Sequence, residues 1–116
     1  MMRILIFFLL LFLSYSQVLS QSSNRQEIPL IIDADTANEI DDLYAIVRAL
    51  IAPELNVLAI TSAHFRNSPL ASENSVRESQ ILNEEIVELM NLDEVDLPIG
   101  SNQPLIDEKT PQLSQA

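Results

Sequence analysis

Two short apolar runs, each followed after a loop by a helical stripe, leave few folds open to this chain. Residues 29–32 (Pro-Leu-Ile-Ile) are wholly apolar and end at Asp33, the pattern of a strand buried on both faces. Leu43, Ile46, Val47, Leu50 and Ile51 then recur at three- and four-residue intervals, which predicts a helix ended by Pro53. Residues 55–61 (LNVLAIT) give a second buried strand. Past a loop over 64–72, Val76, Leu82, Ile86, Leu89 and Met90 mark a longer helix, with Glu84, Glu85 and Glu88 on its wet side. Leu97-Pro98-Ile99 reads as a brief third strand, whose proline suits a strand start or an edge. The order β-α-β-α-β implies a parallel sheet with right-handed crossovers. Three strands and two helices make half of a doubly wound, mostly parallel α/β domain, because such sheets need both faces covered. The chain therefore reads as the truncated front of a larger protein, with residues 106–116 an aperiodic tail.

The first twenty residues stand apart from that pattern. Arg3 is followed by an unbroken apolar run over 4–13, then a polar stretch and a small residue at Ser20. This is the layout of a cleaved secretory signal, and the run is too short to span a bilayer as an anchor. A secreted or periplasmic product is expected, with residues 21–27 as a flexible lead-in and 28–105 as the folded part. The chain carries 17 acidic residues against 6 basic ones, and Arg3 leaves with the leader. Such a surface repels phosphate backbones and anionic lipid, which argues against nucleic-acid binding and against membrane binding after cleavage. Acidic clusters in an exported protein instead fit a divalent cation. There is no cysteine, so no disulfide and no lipoprotein anchor can form.

The chemistry is concentrated in residues 33–42, where Asp33, Asp35, Glu39, Asp41 and Asp42 follow directly on the first strand. Carboxylates this dense repel one another unless a positive charge sits among them, and open α/β sheets place ligands at this end of their strands. Calcium, a hard cation with six to eight oxygen ligands, suits such a loop. A solvated turn with Asn38 or Asp41 as helix cap would use the same residues without any ligand. An EF-hand does not fit: counting from Asp33, the glycine position holds Asn38 and the closing glutamate position holds Tyr44.

A buried strand running into Asp33-Ala34-Asp35 and closed by Asp41-Asp42 at a helix start resembles the N-terminal signature of the inosine–uridine-preferring nucleoside hydrolases. Five residues separate Asp35 from Asp41, where the family's common pattern has a shorter loop; the longer form looks similar to an exported bacterial branch. The likeness extends through residues 57–61, Asn67 in the following loop, and residues 96–105. It implies that Asp35 and Asp42 ligate calcium with Asp33 supporting the metal shell, that Asp35 also deprotonates the attacking water, that Asp41 holds a ribose hydroxyl, and that Asn67 orients a carboxylate or contacts the ribose. The implied reaction is cleavage of the N-glycosidic bond of a small nucleoside or ribosyl substrate, through an oxocarbenium-like state. The family also uses a later histidine-aspartate pair, so this chain alone is expected to be inactive, and homo-oligomerisation is left open for the longer protein. The resemblance does not give the catalytic histidine's place to His64, and Tyr44 and Phe65 suit packing as well as base stacking.

Two other functions are compatible with the residues. A strand ending in Asp-x-Asp is similar to the haloacid dehalogenase-type phosphatases, with Asp33 as nucleophile and Asp35 as acid/base, although Ala37 departs from that pattern and Asp41-Asp42 is left without a role. A small, acidic, non-catalytic module binding calcium or a sugar is the third.

Overall fold

The computed structural model describes residues 27–116; the leader and residues 21–26 of the lead-in lie outside the described residues. Four elements follow in order: β1 (Ile28–Ala34), α1 (Ile40–Leu50), β2 (Leu55–Ser62) and α2 (Ser75–Met90). The two strands run parallel, from Ile28 opposite Leu55 to Ala34 opposite Ser62, with one register shift between Leu30 and Ile31. The architecture is α/β, a small parallel sheet with two helices.

Each element forms where the local chemistry directs it. Pro29 sits one residue into β1, where its missing N–H costs least. Helix α1 ends at Ile51, whose N–H still reaches back to Val47 O (3.1 Å), and Pro53 two residues on cannot continue the ladder. Helix α2 stops at Asn91, which adopts the left-handed conformation (φ 55°) that asparagine tolerates better than most residues. Leu92 then closes the end by donating its N–H to Val87 O (3.1 Å).

Ile46 from α1 meets Ile60 of β2 and Ile86 and Val87 of α2 in one core, closed by Val95 and flanked by Ile32, Ala34, Leu43, Leu50 and Val57. Both helices thus feed the same core. This corrects the expectation that the strands are buried on both faces: Ile28 and Ile31 are 59% and 62% exposed, and Leu58 points away from the core as well. Alternate residues of β1 face the core and solvent, the period-2 signature of a half-covered sheet.

The third strand is reduced to its two ends. Asp96 bridges Ala59 and Ile99 bridges Ser62, both parallel, with no continuous strand between them. Pro98 lies between the bridges and has no N–H to give a ladder. The bridges still fix where this segment lies, on the β2 side of the sheet, so the spatial order follows the chain. Gly100 continues the contact by donating its N–H to Ser62 O (3.1 Å). A Cβ at Gly100 would run into that same carbonyl, so the close approach requires glycine.

Candidate functional site

Asp35 lies one residue beyond β1, at the carboxyl end of the parallel strands, where the loop after β2 also emerges. A turn begins there: Asn38 donates its backbone N–H to Asp35 O (2.7 Å) and its side-chain Nδ2 to Asp35 Oδ2 (3.0 Å). Asn38 therefore orients the Asp35 carboxylate and does not cap α1. The cap position belongs to Glu39, in extended backbone and without a side-chain capping bond. Asp41 and Asp42 occupy the first turn of α1, where the helix dipole favours negative charge.

The start of α1 partly buries the Asp42 side chain and sets it near Asp35, Asp41 and Glu39. Asp42 is consequently held above the usual carboxylate range. Partial burial is the largest cause, followed by the hydrogen bond with Asp35 and then by repulsion from Asp35, Asp41 and Glu39. A pair of this kind is frustrated when both members are ionised, and a shared proton or a cation relieves it.

Asp33 is turned elsewhere. Its Oδ1 accepts a hydrogen bond from Thr61 Oγ1 on β2 (2.5 Å), and among the described residues no group of three or more His, Cys, Asp or Glu side chains is gathered to hold a metal. Asp33 also lines a different depression from Asp35. Asp35, Asn38 and Glu39 form one wall of an open cleft of about 430 Å³, with the opposite wall supplied by the loop after β2, including His64, Arg66 and Asn67. Asp33 instead faces a neighbouring cleft of about 390 Å³, bounded by Ser62, Gly100 and the chain's last residues. His64 lines both clefts, and its Nδ1 accepts the N–H of Arg66 (3.4 Å). Of the residues singled out in the sequence, Asp35 and Asn67 thus share a cleft, Asp42 lies near enough to Asp35 to feel its charge, and exposed Asp41 precedes Asp42 in the first turn of α1.

Several residues that shape the site carry no motif. Thr36 is buried and donates its hydroxyl to Asn83 Oδ1 (2.7 Å). The N–H of Ala37 points to Ser79 Oγ (3.4 Å). Ser62, at the end of β2, donates to Gln80 Oε1 (2.8 Å), and Gln80 Nε2 donates to Leu97 O (2.9 Å). Arg66 ties the cleft's far wall to the segment after Gly100 through Asn102 O (3.2 Å) and Gln103 Oε1 (2.9 Å). The available signal was the seven-residue spacing of Val76, Asn83 and Met90, which puts a polar residue on the buried line of α2.

Set against known proteins, the chain matches no family model, no curated protein and no solved structure. Among the described residues, no helix is long and apolar enough to cross a membrane.

Proposed function

We propose that this chain is the N-terminal part of an exported, calcium-dependent nucleoside hydrolase, carrying the carboxylate side of its active site. The observation that carries the reading is the cleft at the carboxyl end of the parallel strands that Asp35, Asn38 and Glu39 share with Asn67, with Asp41 and Asp42 in the first turn of the helix that follows. Two mutually repelling carboxylates at the carboxyl end of a parallel sheet suit a hard cation. Asp35 and Asp42 fit as two of its oxygen ligands, while Asp33, held by Thr61, acts from the neighbouring cleft.

Calcium, when bound, supplies ordering and acidification of a water molecule. Asp35 is the residue placed to accept a proton from an attacking water, and Asn38 holds its carboxylate in position through its Nδ2 donor (3.0 Å). Asp41, exposed beside the pair, accepts a ribose hydroxyl. Asn67 on the facing loop contacts the same sugar. As the N-glycosidic bond breaks, positive charge develops on the ribose ring. The acidic loop stabilises that charge. The single histidine of the chain, His64, has no assigned role in leaving-group protonation, and turnover is not expected from these 116 residues by themselves. The separation of Asp33 from Asp35 into two clefts weighs against a phosphatase in which both carboxylates act on one phosphate.

The test is a calcium titration of the full chain by calorimetry, followed by nucleoside cleavage by the native exported protein with and without a chelator. Binding that Asp35→Ala and Asp42→Ala each abolish, together with chelator-sensitive cleavage, is the expected result. A chain that ignores calcium, or cleavage indifferent to the chelator, refutes the reading.

A further inference from the structure

The inner face of α2 changes character half-way along. Its second half is apolar, with Ile86 and Val87 in the core. Its first nine residues bury Ser75, Ser79, Gln80 and Asn83 alongside Val76, and of these Ser75, Ser79 and Asn83 are fully inaccessible. Each of these polar groups meets a segment at the carboxyl end of the sheet. Ser75 Oγ accepts the N–H of Phe65 (3.1 Å), Ser79 faces Ala37 N–H, and Asn83 accepts from Thr36. Asn83 is an unexpected residue for a packing position. Its Nδ2 is buried with no hydrogen-bond partner, a cost that an apolar side chain of the same size would avoid. What Asn83 and Ser79 do hold is the turn between Asp35 and Glu39, through the two residues that directly follow Asp35.

We propose that Asn83 and Ser79 of α2, acting through Thr36 and Ala37, are positioning residues that fix the Asp35–Asn38 turn and so the place of the Asp35 carboxylate in its cleft. The inference rests on the calcium reading for its consequence, though not for its geometry. The Thr36–Asn83 bond anchors the turn from beneath, while the Asn38 side chain fixes the carboxylate from above. Without the anchor the turn keeps its own hydrogen bonds but loses its reference to the rest of the fold. Groups that support a metal ligand in this manner commonly change affinity without touching the ion.

The experiment compares the wild-type full chain with Thr36→Val/Asn83→Leu, Thr36→Ser and Ser79→Ala. In the double variant both bonding partners become apolar together, so the fold loses no satisfied pair to an orphan and its thermal midpoint stays at or above wild type. Amide hydrogen exchange over residues 35–39, measured without metal, is expected to speed up by about tenfold. Calcium affinity is expected to fall by about tenfold to a hundredfold. Thr36→Ser keeps the hydroxyl and behaves as wild type, while Ser79→Ala shows the same loosening in a core of unchanged size. Exchange and affinity left at wild-type values in both the double variant and Ser79→Ala overturn the proposal. If the wild-type chain binds no calcium but the exchange contrast is present, the positioning role stands and the calcium reading falls.

Discussion

At neutral pH the Asp35–Asp42 pair works against the fold. Burial and the neighbouring carboxylates hold the Asp42 pKa above its ordinary value, so the folded chain binds a proton more tightly than the unfolded chain does. Stability is therefore lost as pH rises from the ordinary carboxylate range through the raised pKa, and regained on acidification through the same window. Replacing Asp42 by asparagine removes the charge but keeps a group able to bond Asp35. In calcium-free buffer at pH 7 the D42N chain should melt about 2 °C above wild type, a modest gain because the site is largely solvated. The difference should close on acidification through the raised pKa, as wild-type Asp42 takes up its proton. Adding calcium should reverse the order, since only the wild-type pair then gains binding energy. Melting curves at two pH values, with and without calcium, read all of this; a variant no more stable than wild type at pH 7 would count against the strained pair.

At the scale of elements, Gly100 passes close against the end of β2. A methyl group there meets the Ser62 carbonyl, which belongs to the sheet and cannot turn aside as a flexible side chain could. Gly100→Ala should cost about 1–3 kcal/mol, seen as a lower urea midpoint with an unchanged m-value. The same region separates what local sequence carries from what it does not. Both strands and both helices were legible, because an apolar run or a three-four stripe reports burial that its own residues create. Leu97-Pro98-Ile99 looked like a strand by composition, but a ladder depends on N–H groups, and Pro98 leaves only bridges at Asp96 and Ile99. Helix α2 was legible in extent but not in rotation. Leu89 falls on its apolar stripe yet is 81% exposed, whereas Ser79 and Asn83 lie inside. The seven-residue spacing with Val76 and Met90 places Asn83 on the buried line, but its partner and that of Ser79 are Thr36 and Ala37, more than forty residues away, and no local period carries that pairing. At the site, the acidic cluster and its place after β1 could be read directly. The turning of Asp33 toward Thr61 could not, because it depends on the register between the two strands.

For the whole molecule, the decisive feature is that both helices serve one core while the sheet has two faces. Parallel sheets are normally covered on both sides, yet Ile28, Ile31 and Leu58 stand exposed. Among the described residues β1 pairs only with β2, which leaves its other edge free to template a further strand. An apolar face next to an unpaired edge favours association, and the chain's formal charge of −11 opposes it at low ionic strength. The balance should therefore move with salt. Static light scattering should show an apparent mass that grows with protein concentration, and more steeply in 0.5 M than in 0.05 M salt, where screening removes the repulsion but not the apolar contact. Ile31→Lys should flatten that growth while leaving the thermal midpoint within about 1 °C of wild type, because a side chain already mostly in solvent contributes little to the core. A wild-type chain that scatters as a monomer at every concentration and salt would mean that the exposed strand face is too small to drive association.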